Sequence, residues 1–181
     1  MKTATQNLEN DHVLILRLIE VIERITEQSN PKTEHLELIV KLIREFADGI
    51  HHLKEEQYLF PLLVQKGFSN EAGPVAAMLQ EHIAGRNYVN ALADHILLYK
   101  QGIEASLTLI YENMLGYAGL LINHIQKENN VLFKMADKLL TAGEQESLLL
   151  NFEKAVIDKK GNHSSNDYKT MINSLSRIYT S

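Results

Sequence analysis

Apolar residues return every three or four positions over four long stretches of this 181-residue chain, the stride of helices that bury one face. Leu8, His12, Ile15, Ile19 and Ile22 mark the first helix, from about Thr5 to Glu27, and Ser29-Asn30-Pro31 ends it and opens the next. The second runs to about Gln65, a rod of ~50 Å, with Leu38, Leu42, Glu45, Gly49, His52, Glu56, Leu59 and Leu63 on one seam. Lys66 to Asn70 and Gly73-Pro74 form the following connection. The third helix presents Val75, Met78, His82, Gly85, Val89, Leu92 and Ile96 and stops near Gln101-Gly102. The fourth presents Ile110, Met114, Tyr117, Leu121, His124, Glu128, Val131 and Met135. A fifth run, Glu144 to about Asp158, carries Leu148, Leu149, Phe152 and Val156. Lys159 to Asn166 is a loop by composition, and a last short helix with Tyr168, Met171, Ile172, Leu175 and Ile178 packs across the outside.

The pattern predicts an all-α protein: an antiparallel up-down-up-down four-helix bundle over about 5–141, with a C-terminal helical extension over about 143–180. No linker is long enough to separate a second domain from residues 1–181.

Six polar residues sit where this pattern wants leucine. His12 precedes His52-x3-Glu56, and His82 precedes His124-x3-Glu128, so a histidine followed by a His-x3-Glu pair occurs twice. Residues four apart leave one helical face together. Each buried polar group without a partner costs about 1–3 kcal/mol, so four histidines and two glutamates on inward seams need partners. Mutual hydrogen bonding is one solution. A metal pair is another, and it accounts for all six: neutral imidazoles donate nitrogen, and two carboxylates can each bridge both ions. Nitrogen and carboxylate donors without thiolate suit iron, manganese or zinc, and two octahedral irons fit the count best. That leaves room for a bridging oxo or hydroxo and for exogenous small molecules.

Composition narrows the setting. Net charge is −5 without a basic stripe, which gives no reason to expect nucleic acid. The chain has no cysteine, which excludes disulfides and thiolate-held clusters. No apolar run reaches the ~18 residues of a membrane span, and Glu9 and Asp11 interrupt the N-terminus before a signal-like run builds up. The expected setting is soluble and cytoplasmic.

These residues carry a resemblance. His12, His52-x3-Glu56, His82 within Met78-Leu-Gln-Glu-His82-Ile-Ala-Gly-Arg86, and His124-x3-Glu128, with the flanking Glu55-to-Leu62 and Lys127-to-Phe133 stretches, resemble the hemerythrin-like His-His-Glu cation-binding bundles over roughly residues 8 to 140. The resemblance implies a non-heme di-iron centre bridged by two carboxylates. Two departures separate the chain from the oxygen carriers of that family. Met78 stands where those have the first histidine of a His-x3-His, and the last motif is His124-x3-Glu128 rather than His-x4-Asp. With four histidines the chain is similar to the bacterial branch of iron-centre repair and nitric-oxide-reducing proteins. It lacks the cysteine-bearing N-terminal domain usual in the repair proteins, which counts against a full repair role.

Three functions follow as expectations: an oxidoreductase reducing nitric oxide, peroxide or dioxygen with an external electron donor; an oxygen or nitric oxide sensor; and iron storage or donation. Tyr117, two turns before His124, is a candidate hydrogen-bond or redox group, beside the plainer reading of core filler. Glu45, Asp11 and Glu81 are candidates to hold ligand imidazoles from outside. Gly49 and Gly85 either open space for a small molecule or allow close helix packing. His35, His51, His95 and His163 fall off the seams and read as surface residues. Glu9-Asn-Asp-His12 is a single ferritin-like Glu-x-x-His match without a second. The extra C-terminal helices suggest a partner or homodimer surface.

Overall fold

The computed structural model describes residues 3–159 and 165–179, and among these every regular element is helical. α1 (Ala4–Thr26) begins at a capping box, in which the Thr3 hydroxyl accepts from the Gln6 N–H and the Gln6 side chain accepts from the Thr3 N–H. The second rod is α2 (Thr33–Leu42), a first π-helical stretch π1 (Ile43–His52), a second π2 (Glu55–Leu59) and α3 (Phe60–Gln65). α4 (Gly73–Lys100) is α-helical throughout. The fourth rod is α5 (Ser106–Lys127), π3 (Glu128–Leu132) and α6 (Phe133–Leu139). α7 (Ala142–Lys159) and α8 (Ser165–Tyr179) follow. Of the loop expected at 159–166, residues 160–164, with His163, lie outside the described residues, while Lys159, Ser165 and Asn166 are already helical.

The π turns decide which residues face inward. In π2 the Phe60 N–H reaches back five residues to the Glu55 carbonyl, and in π3 the Phe133 N–H reaches back to Glu128. Such wide turns hold more residues than the 3.6 of an α-turn, so a stride of four stays on one face. Ala47, His51, Glu55, Leu59 and Leu63 are all buried; Leu59 and Leu63 lie on the expected line, whereas His51 and Glu55 take the inward side one residue before the expected His52 and Glu56. The same slip follows Glu128. Leu132 and Ala136 are buried, whereas Val131 is 48% and Met135 39% exposed. Gly49 belongs to this geometry, because a Cβ there would stand 2.8 Å from the Arg44 carbonyl oxygen, five residues back. It serves neither of the two purposes expected of it.

Two apolar clusters sandwich the polar layer. One joins Ile15, Ile22, Phe46, Leu92, Ile110 and Tyr117 with Tyr168, Ile172 and Leu175 of α8. The other joins Leu8, Phe60, Met78 and Phe133 with Leu148 and Phe152 of α7. The C-terminal helices thus pack into both clusters of the chain's own core, while Leu150, Ile157 and Ile178 stay exposed. α8 is tied further by Arg17 to Asn173 (2.5 Å) and by the Tyr168 hydroxyl donating to Glu45 (3.2 Å). No helix among the described residues is long and apolar enough to cross a membrane.

Candidate metal centre

Between the two clusters, five histidines turn Nε2 inward. α1 supplies His12, π1 supplies His51 and His52, α4 supplies His82 and α5 supplies His124, each no more than 4% exposed. Glu55 at the head of π2 and Glu128 at the head of π3 are fully buried among them.

The donors fall into two groups that share a carboxylate. His52, His82, His124 and Glu55 each place one ligand atom within 4.8 Å of the others, and so do His12, His51, Glu55 and Glu128. Glu55 spans both, with Oε1 3.6 Å from His51 Nε2 and Oε2 3.5 Å from His82 Nε2. Glu128 Oε2 lies 3.1 Å from His12 Nε2 and 3.4 Å from His124 Nε2. The imidazoles close in on one another as well, at 3.0 Å between His12 and His51 and 3.2 Å between His82 and His124.

Most of the rings are held from behind through Nδ1. Asp48 meets His52 at 3.2 Å, Glu56 meets His82 at 2.7 Å, Glu81 meets His124 at 3.0 Å and Asn129 meets His12 at 2.7 Å. Behind His51 the nearest acceptor, Asp11, is 3.6 Å away and engaged by Lys54 at 2.6 Å. An acceptor on Nδ1 fixes the tautomer that leaves Nε2 free for a cation.

The electrostatics point the same way. Burial pulls the pKa of His12 down, that of His51 well down, and that of His52 down to about 4. Burial and then the neighbouring imidazoles lower His124 too. Neutral imidazole is the metal-binding form. Burial, and next the charge of Glu128, push the Glu55 carboxyl far up, and burial pushes Glu128 to about 8. Neither oxygen of Glu55 nor of Glu128 has a hydrogen-bond partner among the described residues. Two buried carboxylates without donors, facing five imidazole nitrogens, are costly as they stand. A pair of cations is what this donor set fits.

Set against the expected six, the structure brings together His12, His52, His82, His124 and Glu128 and leaves out Glu56. The π turn rotates Glu56 to the rim, where it receives Arg86 at 2.7 Å and holds His82, and Glu55 takes the inward place. His51, expected at the surface, is 1% exposed inside the cluster, so the histidines number five rather than four. Glu81 holds an imidazole as anticipated, but Glu45 pairs with Tyr168, and Glu9 sits 3.8 Å from Lys134. Asp48, one turn before His52, and Asn129 were missed. The i,i+4 spacing of Asp48 and His52 was the available signal.

Beside His52 lies a cavity of about 270 Å³, lined among others by Asp48, Gly85, Arg86, Val89 and Tyr117. Arg86 closes its rim by bonding Asp48 at 2.8 Å as well as Glu56. Burial pushes the Tyr117 hydroxyl far up, and it is without a hydrogen-bond partner among the described residues.

Fold and site together define a helical metal-binding domain whose buried histidines and glutamates form two groups that could each hold a cation. The chain belongs to the family described as the hemerythrin HHE cation-binding domain, whose model matches residues 3–136. It is similar to an uncharacterized protein of Mycobacterium tuberculosis (25% identical over 159 residues, 83% of this chain and 60% of that protein). It is also similar to the iron-sulfur cluster repair protein YtfE of Escherichia coli O157:H7 (33% over 125 residues, 68% and 56%) and of Cronobacter sakazakii (31% over 125 residues, 68% and 56%). The chain therefore spans little more than half the length of these relatives. No solved structure matches it.

Proposed function

We propose that this chain is a non-heme di-iron protein that reacts with nitric oxide, peroxide or dioxygen, with its four main rods read as an antiparallel up-down-up-down bundle around the ions. The observation that carries the reading is the pair of buried carboxylates, all four oxygens without hydrogen-bond partners among the described residues, facing five Nε2 atoms. His52, His82 and His124 would hold one iron and His12 and His51 the other. Glu55 and Glu128 would bridge them. Filling two octahedra takes about twelve positions. Five nitrogens and four carboxylate oxygens would leave about three, enough for a bridging oxo or hydroxo and a small molecule. Bound there, a diferrous pair supplies the two electrons that convert two nitric oxide molecules and two protons into nitrous oxide and water, and an external reductant must restore them.

The chain's own residues supply the surroundings. Val89, Gly85 and the Tyr117 ring keep the cavity beside His52 partly apolar, and Arg86 links its two rim carboxylates. Tyr117 lines that cavity with its hydroxyl unpartnered among the described residues, and it would donate a hydrogen bond, or an electron, to a small molecule held there.

Anaerobic protein loaded with ferrous iron should bind two ions per chain and release nitrous oxide over several turnovers when given nitric oxide and a reductant. A stable nitrosyl adduct alone would replace catalysis with sensing, and failure to bind iron would refute the di-iron reading. A second reading, iron donation, draws on the repair proteins among the relatives and predicts iron transfer to an acceptor protein instead.

A further inference from the structure

The two halves of the centre differ in what stands behind their imidazoles. All three rings of the first half rest on carboxylates: His52 on Asp48, His82 on Glu56 and His124 on Glu81. Arg86 is shared between the first two of these carboxylates, and Lys127 pairs with Glu81. Three negative charges against two positive leave that outer ring net anionic.

The second half has no such ring. His12 rests on the neutral amide of Asn129. The Nδ1 of His51 has no hydrogen-bond partner among the described residues, because Asp11 lies 3.6 Å off and is drawn to the ammonium of Lys54. Lys54 is itself only 4% exposed, held by Asn7 at 2.9 Å and placed over the Phe152 ring. Its charge cancels that of Asp11 and opposes a cation beside His51. The second half offers two nitrogens against three, and the carboxylate grouped with it beyond Glu55 is Glu128, which also reaches to 3.4 Å from His124 of the first half and is therefore shared.

A carboxylate behind a ligand imidazole raises its basicity, and such partners change metal affinity about 10- to 100-fold. We propose that the two ions are held unequally: the one among His52, His82 and His124 is resident, and the one between His12 and His51 is exchangeable. Asn129 and the Lys54–Asp11 pair are the positioning residues that set the difference. The inference rests on the di-iron reading above, and it gives the centre a loading order and a side from which metal leaves.

The test is release of ferrous iron from the anaerobically loaded protein to an excess of a ferrous chelator. The expected result is two phases of one ion each, separated by at least about tenfold in rate. Asn129→Asp, close in size to the native residue, should slow the fast phase about tenfold and leave the slow one unchanged. Lys54→Met should move the same phase in the same direction, and Asp48→Asn should quicken the slow phase. If the native chain retains only one ion on isolation, Asn129→Asp should raise this to two. Release of both ions in a single phase would overturn the proposal. So would an Asn129→Asp variant whose fast phase, or ion count, is unchanged. A chain that binds no iron at all would instead remove the di-iron reading.

Discussion

The α1 and α4 rods and the two π-interrupted rods reach the same centre by different means. In α1 and α4 the ladder is regular, and Leu8, His12, Ile15, Ile19 and Ile22, like Val75, Met78, His82, Gly85, Val89, Leu92 and Ile96, are all buried as an uninterrupted 3.6-residue repeat requires. Each regular rod contributes one ligand candidate. The other two break their ladders where donors cluster: π1 ends on His51-His52, π2 begins on Glu55 and π3 begins on Glu128. Wide turns spend extra residues in one circuit, so neighbouring residues such as His51 and His52 can both face the centre, which an α-turn would not allow. Local departures of this kind concentrate at functional sites, and here both shared carboxylates and two of the five imidazoles lie on or at the edge of them.

The largest test of that contrast exchanges adjacent glutamates. Glu55→Gln removes a charge shared by both halves and should abolish binding of two irons, measured as metal per chain after gel filtration. The same change relieves the repulsion between Glu55 and Glu128, so the metal-free variant should melt at a higher temperature than the metal-free parent. Glu56→Gln leaves the inner donors intact, should keep both ions, and should weaken the His82 side by about 10- to 100-fold. Equal losses from the two changes would restore the uninterrupted helical register.

The next test applies the same logic to packing after Glu128. Leu132 is 1% exposed and Val131 48% exposed. Leu132→Ala should cost about 2–5 kcal/mol in urea unfolding, whereas Val131→Ala should stay within about 0.5 kcal/mol. The reverse ranking would mean that the rod continues as an α-helix through residue 132.

This contrast also explains how much could be read from the sequence. The six helical stretches, their order and the histidines of the regular rods follow from apolar periodicity, because α1 and α4 obey it to their ends. His124 and Glu128 were legible because each lies before or at the point where the register slips, and His52 because a glutamate follows it four residues on. Glu55 and His51 were not, since a seam continued four residues from His52 takes Glu56 and passes over both, and the five-residue hydrogen bonds of the π turns shift the inward side onto them. Gly49 was a visible but ambiguous sign. An unexplained glycine on a helix seam marks a place where the backbone cannot carry a Cβ, and it stands six residues before the shifted glutamate. Asn129 escaped notice because its role depends on His12, which lies more than a hundred residues away in the chain.

The smallest effects come from the two seam glycines. In an ordinary helix interior, replacing glycine with alanine stabilises by about 0.5–1 kcal/mol through the lost freedom of the unfolded chain. At Gly85, on the regular rod, the new Cβ would find the Tyr117 ring at 3.6 Å, an ordinary contact, so Gly85→Ala should raise stability by about that amount while narrowing the cavity beside His52. At Gly49 the Cβ would meet a backbone oxygen at 2.8 Å. The strain of about 1–3 kcal/mol expected of overpacking outweighs the gain, and Gly49→Ala should be destabilising. Opposite signs from one chemical change, read by thermal unfolding of the two variants, would show that the widened turn is built into the backbone at Gly49. A stabilised Gly49→Ala protein would show that the backbone can close to a regular helix there, and the inward placing of His51 and Glu55 would then need another cause.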